Sequence, residues 1–300
     1  MTSTARTGTL TSAPALPPLL ARGALLSPFK RPRPDAEFPR VRLVLPALRA
    51  DPARLAAYER VCGFPTGAAA LPVTYPHLMG FPLAMRLMSA RDFPLPLLGL
   101  VHTSLTVTRR TALPADAAHE VAVHVAGLAP HRRGTEATVV TEARSGGNVV
   151  WESSSTYLAR HRTGRRTAGS STYPARRPTA GRPAAAPRAE SPKPLPVRAE
   201  WRPAGDTGRR YAAASGDRNP IHLHPLTARL FGFPRAIAHG MWTVARCLAE
   251  HGTPEAVTVR AEFRAPVLLP GTVTYGARGG RFELRGPDGR LHLSGEVQPA

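Results

Sequence analysis

The 300-residue chain has very few cysteines and no long apolar run. Its two cysteines, Cys62 and Cys247, lie far apart, and no Cys or His cluster has metal-ligand spacing. The composition therefore excludes a disulfide framework and favours a reducing, cytoplasmic setting. The most apolar stretch, 93–101, contains two prolines and is far shorter than the roughly 20 residues that span a bilayer. We expect a soluble protein with no membrane-spanning segment.

Acidic residues are half as numerous as basic ones, 20 against 40, and only Lys30 and Lys193 of the basic residues are lysines. The charge is uneven: residues 160–193 hold nine basic and one acidic residue, and residues 1–50 hold eight and two. Most of the excess thus lies outside the segments with globular patterning, which disfavours a nucleic-acid-binding fold. An electrostatic arm over Arg160–Arg188 that attracts an acidic partner, nucleic acid included, remains an alternative.

Composition divides the chain into four segments. Residues 160–196 are rich in Pro, Ala and Arg and have almost no large aliphatic side chain, so they predict a disordered basic linker. Residues 1–40 are expected to be a flexible N-terminal segment. The remaining segments, 41–159 and 197–300, are predicted to be two globular domains.

The two globular segments repeat one pattern. Residues 101–116 and 257–272 both alternate apolar and polar side chains, at a constant offset of 156. Further alternating runs follow at 119–127, 136–144 and 148–159 in the first half and at 272–277, 281–286 and 291–298 in the second. Such runs indicate antiparallel meanders, and one helical stretch precedes each, at 76–90 and at 239–252. We therefore predict an α+β fold in which each half wraps an antiparallel sheet around a central helix.

The segment 211–228, YAAASGDRNPIHLHPLTA, carries the candidate chemistry. Its SGDRNP portion is turn-forming, and it presents Asp217 and His222 five positions apart. A carboxylate and an imidazole held by one turn can act on the same small molecule as an acid–base pair. On spacing alone, a helix cap and a surface imidazole are the more common interpretation.

The same segment, followed by IAHGM, resembles the hydratase-2 motif of the MaoC-like (R)-specific enoyl-CoA hydratases and 3-hydroxyacyl-thioester dehydratases. The resemblance covers a small part of the chain and implies a hot dog fold. Two halves with the motif only in the second are similar to the double hot dog dehydratases of actinobacteria. Ala214 departs from the family, which more often has a larger aliphatic residue there. The residues that match in order and spacing are Tyr211, Ser215, Gly216, Asp217, Asn219, Pro220, Ile221, His222 and Ala228.

The resemblance implies that Asp217 and His222 are catalytic. His222 is assigned the proton at the α-carbon of the thioester, and Asp217 the water or leaving hydroxyl, although a coupled pair can exchange these roles. The resemblance also implies that the backbone N–H of Gly240 stabilises the thioester oxygen. A helix beginning near 239 would favour an anion there.

Asn219, Ser215 and Tyr211 are assigned with Gly240 to the oxyanion and substrate-binding group. Asn219 is expected to hold the loop and the water site, and Tyr211 either closes the pocket or packs at a strand end. His239 is expected to have a structural role. The substrate implied by the resemblance is an acyl-CoA or acyl carrier protein thioester, with no metal or other cofactor.

The corresponding stretch of the first half, 58–81, has nothing like SGDxNPxH, so we expect this half to have lost its own site. Its residues Phe81, Leu83, Met85 and Met88 either line an acyl-chain tunnel or form core. Alternative functions are a hot dog thioesterase and a non-catalytic acyl-thioester-binding subunit. The expected assembly is a monomeric pseudo-dimer or a homodimer.

Overall fold

One eleven-stranded sheet extends through residues 6–161 and 193–300, the parts that this computed structural model describes. The strands are β1 (Arg6–Thr9), β2 (Val41–Arg49), β3 (Val101–Arg109), β4 (Ala118–His131), β5 (Gly134–Ser145), β6 (Asn148–Arg160), β7 (Val197–Trp201), β8 (Val257–Phe263), β9 (Val273–Arg278), β10 (Arg281–Arg285) and β11 (Leu291–Pro299). Their order across the sheet is β1-β2-β4-β5-β6-β3-β8-β11-β10-β9-β7. Strands β1 and β2 are parallel, and the other neighbours are antiparallel.

Seven α-helices accompany the sheet in the described residues. They are α1 (Leu16–Leu26), α2 (Pro52–Cys62), α3 (Tyr75–Met88), α4 (Thr207–Ser215), α5 (Pro220–Leu223), α6 (Pro225–Leu230) and α7 (Gly240–His251). Helix α3 packs with β2, β4 and β5 in the first half, and α7 packs with β10 in the second. The α+β prediction, with one central helix in each half, is confirmed. The predicted helices at 76–90 and 239–252 correspond to α3 and α7.

The two halves meet where β3 pairs with β8. Leu105 lies directly opposite Ala261, and these two positions are separated by the repeat offset of 156. A residue that pairs with its own counterpart lies on a two-fold axis, as at the interface of a symmetric dimer. The internal repeat is therefore a pseudo-dimer whose two sheets join into one. A hydrogen bond from Trp242 Nε1 in α7 to the carbonyl of Val61 in α2, 2.8 Å, also links the halves.

Residues 6–40 differ from the flexible segment expected over 1–40. They contain β1, which pairs with β2, and α1, which packs against α3. The Nζ of Lys30 donates to the carbonyls of Ala90, Arg91 and Phe93 at 2.6–2.8 Å. These contacts are long-range, which is why the local pattern of a proline-rich stretch did not indicate them.

Most of the linker predicted over 160–196 lies outside the described residues, because residues 162–192 are not described. At its ends, β6 extends to Arg160 and β7 begins at Val197. The boundaries 41–159 and 197–300 remain our proposal. Among the helices of the described residues, none is long and apolar enough to cross a membrane.

Candidate active site

The turn between α4 and α5 is built by its own polar side chains. Ser215 Oγ accepts a hydrogen bond from the N–H of Asp217 at 3.1 Å, and Asp217 Oδ1 accepts from the N–H of Asn219 at 3.2 Å. Asn219 caps α5 by accepting from the N–H of Ile221 at 3.4 Å. Gly216 ends α4 with φ +83°, a left-handed conformation that glycine adopts without strain. The turn thus fixes Asp217 with its side chain about one-third exposed.

His222 is held in one tautomer. Its Nδ1 lies 2.8 Å from the carbonyl oxygen of Ile237, which can only accept, so Nδ1 carries the proton and Nε2 has a free lone pair. Burial lowers the pKa of His222, and the negative charge of Asp217 acts in the opposite direction. The ring is therefore neutral near pH 7, in the form that can accept a proton.

His239 contacts both members of the candidate catalytic pair, which its sequence position did not indicate. Its ring stacks on that of His222 with centroids 3.7 Å apart. Its Nε2 donates to the backbone carbonyl of Asp217 at 3.0 Å and lies 3.9 Å from Oδ2 of that residue. Burial lowers the pKa of His239 well below its usual value, and His222 lowers it further. His239 thus supports both the imidazole and the carboxylate of the candidate pair.

Asp217, His222 and His239 each offer a polar atom, and these atoms lie within 4.8 Å of one another. One water can bridge atoms at such a separation by normal hydrogen bonds. A metal ion fits this set poorly. Its ligand nitrogens must lie about 2.0–2.1 Å from one point, whereas His239 Nε2 already donates its proton to the backbone carbonyl of Asp217.

Gly240 is the first residue of α7 and borders the same cavity. Its N–H belongs to the first turn of the helix, where backbone donors have no intrahelical partner and the helix dipole favours negative charge. A Cβ added at this position would come within 3.2 Å of the Phe263 ring. A larger residue at this position would therefore require the Phe263 ring to shift.

Two tyrosines line the cavity that holds Asp217. Tyr211 lies in α4 rather than at a strand end, and its buried ring is 4.7 Å from that of His239. Tyr157 comes from β6 of the first half and lines the cavity. Burial raises the pKa of Tyr157 to about 12, and the charge of Asp217 adds to this effect. Sequence reasoning missed Tyr157, because it treated β6 only as a strand.

A cavity of about 1120 Å³ connects these residues with the first half. Phe81, Met85 and Met88 of α3 line it, as the tunnel interpretation predicted, but Leu83 does not, since it is fully buried in the core of the first half. His77 also lines it, and burial lowers the pKa of His77 to about 4. The first half therefore contributes walls to the cavity that holds Asp217 and His222.

The polar side of the cavity is strongly basic. Besides Asp217, two carboxylates line the cavity, and one of them, Glu262, forms an ion pair with Arg264. The basic groups that line this side are Arg132, Arg133, Arg160, Arg218, Arg264 and Arg290. This arrangement attracts an anionic group to the opening of the cavity.

Comparison with known proteins gives matches over most of the chain. Residues 180–279 match the family described as MaoC like domain. The chain is 36% identical over 274 residues to 3-hydroxyacyl-thioester dehydratase X of Mycobacterium tuberculosis, covering 89% of this chain and 92% of that protein.

Solved structures give the same result. The crystal structure of HtdX from Mycobacterium tuberculosis is 33% identical, has a TM-score of 0.71, and covers 86% of this chain and 100% of its own. A MaoC-like dehydratase from Phytophthora capsici, 18% identical with a TM-score of 0.65, covers 86% of this chain and 95% of its own. At that identity the second match shows the fold alone.

Proposed function

Because the chain belongs to the MaoC-like dehydratase family, we propose that it is a hydro-lyase that interconverts (R)-3-hydroxyacyl and trans-2-enoyl thioesters. The observation that carries the proposal is the grouping of Asp217, the free Nε2 side of His222 and the N–H of Gly240 along one cavity. A carboxylate, a neutral imidazole and a helix N-terminus are the groups that acid–base chemistry next to a thioester needs.

In the dehydration direction, His222 Nε2 takes a proton from the α-carbon. The negative charge that develops on the thioester oxygen is stabilised by the N–H of Gly240. The bond from the β-carbon to its hydroxyl breaks, and the proton that His222 took up is passed to that hydroxyl, which leaves as water while the Asp217 carboxylate orients it. The pair ends each turnover as it began, with neutral His222 and ionised Asp217, because the α-proton and the hydroxyl leave together as water. Hydration is the reverse sequence.

The substrate carrier in this proposal is coenzyme A or acyl carrier protein, since both are anionic and suit the arginine-lined opening. The reaction as written needs no metal, flavin or nicotinamide. The pseudo-dimer within one chain supplies both walls of the cavity, so a monomer or a homodimer of the whole chain is compatible with activity. We propose a cytoplasmic setting from the two buried free cysteines.

The test is hydration of trans-2-enoyl-CoA by the full chain, with Asp217→Asn and His222→Ala as variants. We expect each variant to lower kcat by at least about a hundredfold, in the range typical of positioned acid–base groups. The unfolding temperature of Asp217→Asn should change little, because the amide oxygen of the introduced side chain would still accept from the N–H of Asn219.

His224→Gln is the matched control. His224 is exposed and caps α6 by accepting from the N–H of Leu226 at 3.2 Å, so its loss should leave kcat unchanged. Near-normal hydration by Asp217→Asn would contradict the assigned pair. No hydration by the wild-type chain, together with binding of enoyl-CoA, would favour the non-catalytic acyl-thioester-binding alternative.

A further inference from the structure

Helix α1 extends along the cavity from the catalytic turn toward its far end. At its beginning, Leu16 occupies the space beside Gly216, where an added Cβ would meet its Cδ1. Near its end, Gly23 packs against Leu97, and Ser27 Oγ accepts from the N–H of Leu98 at 2.9 Å. Both ends of α1 are therefore attached to parts of the cavity wall.

One face of α1 lines the cavity. Leu20, Ala21 and Ala24 border it, and Leu20 and Ala21 lie four and three positions before Ala24, a spacing that makes each a neighbour of Ala24 on the helix surface. On α3 the lining residues extend from His77 to Met88, a distance of about 16 Å at 1.5 Å per residue. The two helices pack against each other and together enclose the apolar part of the cavity.

We propose that α1 is the wall that sets the acyl-chain length of the substrate, with Ala21 and Ala24 as the specificity-determining residues. This inference rests on the proposed function and identifies the occupant of the apolar part as the acyl chain. The part between α1 and α3 is lined by aliphatic, aromatic and methionine side chains and is continuous with Asp217 and His222. The two alanines leave space that larger side chains would fill.

The wall is fixed in place rather than free to open. Strand β1 holds the chain before α1 to β2, and Lys30 binds three carbonyls beyond α3. A fixed wall selects chain length sterically, because each methylene that cannot be accommodated loses binding at the transition state. A short acyl chain does not reach α1 and is not affected by it.

The experiment compares kcat/KM for crotonyl-CoA and dodecenoyl-CoA in the wild type, Ala24→Phe and Ala21→Leu. Both substitutions place bulk in the cavity, and Ala21 is exposed toward it, so Ala21→Leu should fold normally. We expect kcat/KM for dodecenoyl-CoA to fall at least about tenfold while that for crotonyl-CoA is retained. Leu25→Phe is the matched control, since Leu25 is on the same helix and is 73% exposed.

The outcomes separate the two proposals. If the wild type hydrates neither substrate, the proposed function fails. If the wild type hydrates both and the two α1 variants keep its ratio of kcat/KM values, the inference about α1 is wrong. An equal loss on both substrates would also overturn it, because it would mean that α1 supports the catalytic turn rather than the acyl chain.

Discussion

Tyr157 places a phenol from the first half in the cavity that holds the carboxylate of the second. Its O–H is a donor in a buried setting, and burial together with the charge of Asp217 keeps it protonated, with a pKa of about 12. We expect Tyr157→Phe to lower kcat/KM by roughly two- to tenfold, because its hydroxyl lines the cavity, where it can donate to a bound substrate, and a neutral hydrogen bond contributes about 0.5–1.5 kcal/mol. Enoyl-CoA hydration is the measurement.

The control for Tyr157→Phe is Tyr275→Phe. Tyr275 is buried and bonds to His251 Nδ1 at 2.8 Å, but it does not line the cavity. Removing its hydroxyl should lower the unfolding temperature and leave kcat/KM unchanged. If Tyr157→Phe behaves in the same way as this control, Tyr157 is a packing residue and has no part in the chemistry.

Most of the site residues that the sequence predicted lie close together along the chain. Ser215, Asp217, Asn219 and His222 form a local motif whose turn chemistry is visible in the residue types. Tyr157 became recognisable only after folding, because β6 brings it to the motif from a distant part of the sequence. No local pattern distinguishes it from the other alternating residues of its strand.

Helices α4 and α5 touch at a glycine. An added Cβ at Gly208 would collide with the backbone carbonyl oxygen of His222, and backbone cannot move aside as a side chain can. We expect Gly208→Ala to push the helices apart and disturb the bond between His222 Nδ1 and the Ile237 carbonyl. The predicted result is a loss of stability of about 1–3 kcal/mol and a larger loss of kcat/KM, measured by thermal unfolding and by hydration.

Gly127→Ala is the comparison for this prediction. Gly127 lies in β4, and an added Cβ there would meet nothing within 4 Å. It should change neither stability nor activity appreciably. Normal kcat/KM in Gly208→Ala would show that the position of His222 does not depend on the contact between α4 and α5.

The elements that the sequence predicted are those with a strong period. The alternation of the two meanders and the apolar runs of α3 and α7 were sufficient to identify the fold class. Helix α1 has two prolines near its start and too few polar residues to form the polar face of an amphipathic helix. Its sequence therefore did not indicate a helix. Helix α1 is held in place by packing on α3 and by the hydrogen bonds of Lys30. These long-range contacts leave no local sequence pattern.

At the scale of the whole molecule, the two related halves contribute different parts of the candidate site. The pseudo-two-fold axis at Leu105 and Ala261 would generate two equivalent sites, but only the second half has the carboxylate and the imidazole of the motif. In the first half, the equivalent helix α3 provides cavity wall instead. The site thus needs both halves, although the sequence motif lies in one.

Several histidines around the cavity are buried and neutral. We expect these histidines to make the fold acid-sensitive. Burial lowers the pKa of His77 to about 4 and that of His102 to about 3, and it also lowers those of His222 and His239. In the unfolded chain each has a pKa near 6.5. Between these values the unfolded state binds more protons, so stability is full above about pH 6.5 and decreases as the pH falls toward 4.

The His77→Gln variant tests this account. For His77, the difference between 6.5 and about 4 corresponds to roughly 3 kcal/mol of stability lost on acidification, at about 1.4 kcal/mol per pH unit. A glutamine side chain cannot take up a proton in this range, so we expect the variant to lose less stability than the wild type between neutral pH and about pH 4. The free energy of unfolding in urea, measured across this range, is the readout. An unchanged slope in His77→Gln would refute the assignment of the acid sensitivity to this buried histidine.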